Sequence, residues 1–191
     1  DQIKICSTGG VLSPMDDPRH SQFTEEEIAV IVAEARAQGT YVMSHAQGTE
    51  GIKNALRAGV RSIEHGIYLD DEAIDMMREA GAFLVPTLQA PLSVIAAADA
   101  GAPMPVAVVD KARRVAETHA ASIAAAYEAG VQIAMGTDAG VGTHGENLEE
   151  IELMIANGMS AADALASATS VAARLLGLSL IHISEPTRLR R

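Results

Sequence analysis

Four residues that could bind a metal or move a proton lie within or just after short apolar runs of the sequence. His45 and His65 follow the runs VMS and SIE, Asp138 follows AMGT, and Lys4 lies inside IKIC. Imidazoles and carboxylates bind the divalent metals that activate water and polarise carbonyls in hydrolysis. Each residue also has an ordinary alternative: a structural histidine, a helix-capping aspartate and an edge-strand lysine facing water. Two histidines at equivalent places in consecutive units favour metal binding.

These residues are separated by an alternation of short β-type runs and helical runs, which is typical of parallel βα units. Strands are predicted at 3–6, 41–44, 62–64, 83–85 and 131–135, and helices at 24–39, 49–59, 71–80, 106–129, 147–156 and 161–176. The proline-flanked stretch 91–105 is predicted to be a loop or a short helix. Because the candidate groups recur at strand ends, we expect an α/β fold of the (β/α)8 TIM-barrel type, with these groups on the catalytic face.

An open doubly wound sheet is the alternative architecture. Such a sheet usually carries a glycine-rich phosphate loop after its first strand, and Gly9-Gly10 is a weak version of that loop. The chain has 191 residues, fewer than the about 250 of a complete (β/α)8 barrel. We therefore expect part of a barrel.

Composition and charge narrow the function. Hydrophobic residues make up 48% of the chain and aromatic residues 3%, which suits helices packed on parallel strands. The net charge of −11 disfavours a nucleic-acid partner or an anionic membrane. The single cysteine, Cys6, excludes an internal disulfide and a cysteine-rich zinc site, and we expect it to be a small buried core residue. We expect a cytoplasmic protein with a small-molecule substrate, and a homo-oligomer is compatible with the sequence.

The ordered motifs IKI, SHA, IEHG, VPTL and MGTDAG resemble strands four to eight of the amidohydrolase superfamily. The closest resemblance is to prolidases, Xaa-dipeptidases and imidazolonepropionase-like hydrolases, and it covers residues 1–178. It implies that a carboxylated Lys4 bridges two divalent metals, with zinc as the expected metal. His45 and His65 would bind the second metal and Asp138 the first. A metal-bound hydroxide would attack the amide of a dipeptide-like or cyclic substrate, with Asp138 as the general acid and base.

Further candidates lie near the same strand ends. Tyr68 follows the EHG segment and could donate a hydrogen bond to the developing oxyanion. His144, Arg19 and His20 lie on loops where a barrel enzyme would contact its substrate, and Arg19 could hold a carboxylate by two hydrogen bonds. His119 lies in the middle of a predicted helix beside Thr118, and we expect it at the surface.

The sequence departs from the family pattern at both ends. It has no His-x-His pair of the kind found on the family's first strand, so we expect an incomplete and inactive site. It begins on a strand-like segment without an initiator methionine, so we expect the true amino terminus to be missing. Residues 179–191 (SLIHISEPTRLRR) resemble the translated read-through of a sequencing adapter. We expect a domain at 1–178 and a non-native tail at 179–191.

Two other function classes stay open. A metal-free barrel lyase or isomerase would use Lys4 as a Schiff-base amine and histidine and aspartate as acid and base, with Lys4 isolated from both histidines. A non-catalytic βα fragment would leave an open, apolar sheet edge. A metal-dependent hydrolase instead requires Lys4, His45, His65 and Asp138 to converge.

Overall fold

Five parallel strands form one sheet in the computed structural model, which describes residues 2–178. They are β1 (Ile3–Cys6), β2 (Val42–Ala46), β3 (Ser62–His65), β4 (Phe83–Val85) and β5 (Gln132–Ile133). Neighbours in the sheet are also neighbours in sequence. Helices connect the strands, as the crossover between parallel strands requires. The predicted α/β fold with a parallel sheet is therefore confirmed.

The helices mostly begin and end where the sequence predicts. They are α1 (Glu25–Ala37), α2 (Thr49–Ala58), α3 (Asp71–Ala80), α4 (Gln89–Asp99), α5 (Val106–Glu128), α6 (Glu149–Ala156), α7 (Ala161–Ala166) and α8 (Ala172–Leu175). Thr24 and Glu27 form the capping box expected before α1. Gly59 and Gly81 end α2 and α3 in the left-handed conformation that glycine adopts without strain. No helix within residues 2–178 is long and apolar enough to cross a membrane.

Three elements differ from prediction. Helix α4 begins before Pro91 and includes it, because a proline in the first helical turn lacks only an N–H that has no helical acceptor. Strand β5 is shorter than predicted, and the Met135 N–H donates to the Ser167 carbonyl (3.1 Å) instead of continuing a ladder. The last predicted helix is α7 and α8 joined by a π-helical segment, Ser167–Val171. This segment lies beside the end of β5.

The main core lies between one face of the sheet and the packed helices. Ile63, Leu84 and Ile133 are in register on neighbouring strands and are buried. Ile28 of α1 and Ile52 of α2 belong to the same buried cluster. Side chains alternate between the faces of a strand, so the opposite face carries the residues at the intervening positions. That opposite face carries Lys4, His45 and Glu64 on β1 to β3, and the apolar Phe83 and Val85 on β4.

Cys6 lies on this opposite face, in register with His45, and is exposed. The prediction of a buried core cysteine is wrong. Within residues 2–178, β1 pairs only with β2, so it forms an edge of the described sheet. Lys4 on the same strand is also exposed, whereas Ile5 is buried. This edge therefore presents Lys4 and Cys6 on one face, whereas Ile5 faces the core on the other.

The end of the last helix is anchored to the amino-terminal end of β3. The Arg61 guanidinium, one residue before β3, donates to the carbonyls of Arg174 and Leu175 (both 2.7 Å). It also stacks over the Tyr41 ring, 4.9 Å from the centroid. A cation is favourable at the carboxyl end of a helix, where the carbonyls lack helical donors. Val171 and Leu175 pack on the buried cluster that contains Phe83.

Candidate active site

A pocket of about 200 Å³ lies at the carboxyl ends of the strands. His45, His65 and Asp138, three of the four predicted metal ligands, line it. The remaining lining residues are Gly10, Val11, Leu12, Ser13, Gln47, Ile67, Ala90, Pro91, Val94, His119 and Val141. In parallel sheets, ligands bind beyond the carboxyl ends of the strands. The pocket therefore has the location of a barrel active site.

The His45 and His65 rings contact each other edge to face, with centroids 4.6 Å apart. Burial is the main cause that lowers the pKa of His45, and it holds the pKa of His65 well below its usual value. Both histidines are therefore neutral at pH 7, which is the form that binds metals. Lys4, the fourth predicted ligand, is exposed and is not among the residues that line the pocket.

Left-handed backbone conformations mark three strand ends. His65, Thr87 and Asp138 have φ values of 76°, 56° and 55°. Such values are uncommon for residues other than glycine, and they cluster at functional sites. His65 and Asp138 line the pocket, and His65 Nδ1 lies 2.6 Å from Thr87 Oγ1. The unusual conformations are therefore concentrated around the candidate ligands.

His119 is buried and lines the same pocket, so its predicted surface position is wrong. Its Nε2 donates to the His65 carbonyl (3.0 Å), which requires the neutral ring to carry its proton on Nε2. Burial lowers the pKa of His119 to about 4. The spacing of four residues between Val115 and His119, and again to Ile123, is the sequence signal that places it on the inward face of α5.

Other side chains on the inward face of α5 hold the loops around the pocket. Lys111 Nζ donates to the carbonyls of Gly10 (3.3 Å), Ser13 and Asp16 (2.7 Å). Ser122 Oγ donates to the Ile67 carbonyl (2.6 Å). The helix thus fixes the loops that follow β1 and β3. Lys111 is not among the residues predicted from the sequence, although its position between the apolar residues of α5 is a recognisable signal.

Two buried glutamates lie near the strand ends. Glu64, in register with His45, accepts a hydrogen bond from Ser62 Oγ (2.6 Å), and burial raises its pKa. Glu150 is fully buried and accepts hydrogen bonds from the N–H groups of Leu88 and Gln89 (both 2.8 Å). Burial raises the pKa of Glu150 to about 7 despite these hydrogen bonds. Glu150 therefore fixes the backbone at the start of α4.

Tyr68 and Arg19 line a second pocket, together with Asp17, Lys111 and Arg114 among others. The Arg19 guanidinium donates to both carboxylate oxygens of Asp17 (3.0 and 2.7 Å). Burial raises the pKa of the Tyr68 hydroxyl. The structure thus brings Tyr68 and Arg19 together, but not into the pocket of the histidine pair.

His20 and His144 are exposed and line neither pocket, so their roles in substrate binding stay predictions.

The described residues supply only part of the ligand set that a metal ion requires. Among residues 2–178, no group of three or more His, Cys, Asp or Glu side chains is arranged to hold a metal ion. The neighbouring imidazoles of His45 and His65 are nitrogen donors of the kind that bind divalent metals, and His45 Nε2 lies 3.2 Å from the Gly9 carbonyl oxygen.

Comparison with known proteins identifies close relatives. Residues 1–181 match the sequence model of the amidohydrolase family. Ochratoxinase from Aspergillus niger is 35% identical over 176 residues, which cover 92% of this chain and 36% of that protein. The chain therefore spans less than half the length of this relative.

Two solved structures with similar sequences also superpose well on this chain. A Xaa-Pro dipeptidase with methionine bound in its active site superposes with a TM-score of 0.88 at 45% identity, over 93% of this chain and 44% of that one. A prolidase complexed with N-methylphosphonate-L-proline gives a TM-score of 0.85 at 39% identity, over 93% and 43%.

Proposed function

Because the chain belongs to the amidohydrolase family, we propose that residues 1–178 are part of a (β/α)8-barrel hydrolase that cleaves a carbon–nitrogen bond of an amide. In this proposal β1 to β5 serve as barrel strands four to eight. The main support is that His45, His65 and Asp138 come from three different strand ends and line one pocket. The proposed non-native tail, 179–191, lies outside the described residues.

His45 and His65 would hold one divalent metal, zinc by expectation, and Asp138 and a carboxylated Lys4 would complete a two-metal set. When bound, the metals would supply a water nucleophile at neutral pH and polarise the amide carbonyl. The low pKa values of the two histidines support this role, since protonated imidazoles cannot bind a metal.

Asp138 moves the proton in the proposed reaction. Its carboxylate accepts a proton from water as the new carbon–oxygen bond forms, and passes that proton to the amide nitrogen as the carbon–nitrogen bond breaks. Gly136, two residues earlier, lets this segment approach β4 closely, because a Cβ there would lie 2.4 Å from Val85 Cγ1. Asp138 is thereby delivered to the pocket on a closely packed turn.

The pocket supports an apolar group beside the amide. Val11, Ile67, Val94 and Val141 form one wall, and no Lys or Arg lines the pocket. Such a wall excludes water and favours an uncharged aliphatic group. A dipeptide-like substrate or a related cyclic amide meets this requirement, and the Xaa-Pro dipeptidase and ochratoxinase relatives support it.

Tyr68 is the proposed donor to the developing oxyanion, and Arg19 the proposed partner of a substrate carboxylate. Both line the second pocket, so these roles require a substrate that extends from the first pocket into the second. Arg19 would also have to exchange its bond to Asp17 for one to the substrate.

Metal binding by the chain tests the proposal. Cobalt titration, followed by visible absorption, is expected to give binding that weakens at least about tenfold in His45→Ala and His65→Ala. His20→Ala removes an exposed histidine outside both pockets and is the matched control. Equal binding by wild type and both pocket variants would contradict the proposal. Hydrolysis by the chain alone is expected to be undetectable, because the sequence lacks a His-x-His pair.

A further inference from the structure

Thr87 makes the one side-chain contact described for the His65 ring nitrogens, apart from the edge-to-face packing of the ring against His45. Its Oγ1 lies 2.6 Å from His65 Nδ1, and both residues are buried. Because Nδ1 is occupied, Nε2 is the ring nitrogen that stays available to the pocket. A buried histidine whose ring is held by a hydroxyl has one orientation instead of several.

The Thr87 backbone is in an unfavourable conformation. A φ of 56° is a clear outlier for a β-branched residue, because its Cβ substituents crowd the backbone. Conformations of this kind are unfavourable and persist when the surrounding structure enforces them. Thr87 therefore needs contacts that hold it, and the next residues supply them.

The residues after Thr87 are fixed by a buried carboxylate. Glu150 accepts from the N–H groups of Leu88 and Gln89, and the Thr87 carbonyl accepts from the Ala90 N–H (3.1 Å). On the other side, His119 donates to the His65 carbonyl. The contact between Thr87 and His65 is thus supported at both of its ends by buried hydrogen bonds.

We propose that Thr87 is a positioning residue for His65: its hydroxyl accepts the Nδ1–H hydrogen bond, selects that tautomer, and leaves the unprotonated Nε2 facing the pocket. This inference rests on the proposed role of His65 as a metal ligand. A ligand nitrogen must be unprotonated, so the single proton of the neutral ring has to reside on Nδ1. The role of Thr87 is to keep it there.

The test compares Thr87→Val, which keeps the branched shape and removes the hydroxyl, with Thr87→Ser, which keeps the hydroxyl. NMR of the metal-free chain with 15N-labelled histidine reports the His65 tautomer. Wild type and Thr87→Ser are expected to show Nδ1–H, and Thr87→Val a mixture. Cobalt affinity is expected to fall about 10–100-fold in Thr87→Val and to recover to within about threefold of wild type in Thr87→Ser.

Thr169→Val is the matched control, because it removes an exposed threonine hydroxyl that donates to the Leu165 carbonyl (2.9 Å) in the last helical segments. If Thr87→Val does not fold, Thr87→Ala replaces it, since a smaller side chain relieves crowding at this φ. An unchanged His65 tautomer in the variant without the hydroxyl overturns the inference. Failure of wild type to bind cobalt would instead overturn the proposed function, so the two failures are distinguishable.

Discussion

Glu150 gives a quantitative prediction for stability against pH. The side chain is fully buried, and burial raises its pKa from 4.5 to about 7. Because the folded pKa lies above the unfolded value, the stabilisation is complete below pH 4.5 and is lost as the pH rises through about 7. A pKa difference of one corresponds to about 1.4 kcal/mol. The ionisation of Glu150 should therefore lower the free energy of unfolding by about 3 kcal/mol as the pH rises from 4.5 to above 7.

Glu150→Gln removes this titration but keeps the shape of the side chain. The amide oxygen can accept from only one of the Leu88 and Gln89 N–H groups, and an unsatisfied buried donor costs about 1–3 kcal/mol. The variant is therefore expected to be less stable than wild type at pH 4.5 and equally or more stable at pH 8. Its unfolding free energy should gain about 3 kcal/mol relative to wild type between these values.

Urea unfolding followed by circular dichroism at a series of pH values measures the difference. Contributions from the buried histidines are common to both proteins and cancel in it. Glu152→Gln, at an exposed position on the same helix, is the control and should leave the pH profile unchanged. Parallel profiles for wild type and Glu150→Gln would refute the reasoning, because they would mean that the carboxyl group has the same pKa in both states.

Three further predictions concern the surroundings of the pocket. Lys111→Met removes the hydrogen bonds from Lys111 Nζ to three carbonyl groups of residues 10–16. Amide hydrogen exchange in this segment is therefore expected to be faster than in wild type, as measured by mass spectrometry. The low pKa of His119 should cost the wild type about 3 kcal/mol of its free energy of unfolding as the pH falls from 6.5 towards 4. His119→Gln should make this loss smaller, as measured by urea unfolding. Gly51→Ala should lower stability by about 1–3 kcal/mol in thermal unfolding, because its Cβ would lie 2.3 Å from Thr8 Cγ2.

The strands and the three strand-end residues could be predicted because their signals are local. Apolar runs bounded by glycine mark the strands, and His45, His65 and Asp138 follow those runs directly. The position of His119 is less evident, since α5 carries alanine on several faces and its apolar face is therefore poorly defined.

Other features depend on tertiary contacts. The left-handed conformations of Thr87 and Asp138 are enforced by their surroundings, and neither residue type predicts them. The direction of Tyr68 depends on how its loop packs, so its proximity to Arg19 could not be predicted from spacing. Cys6 was expected in the core because its strand is apolar, but its register with His45 places it on the opposite face of the sheet.

The Arg61 anchor has a consequence for synthesis on the ribosome. Its acceptors, the carbonyls of Arg174 and Leu175, lie 113 and 114 residues later in the chain. The contact therefore forms only after residues 174 and 175 have left the ribosome, and Phe83 lacks its packing partner Leu175 until then. The part of Phe83 that Leu175 covers thus stays unpacked on the nascent chain, and α8 covers it once that helix has formed.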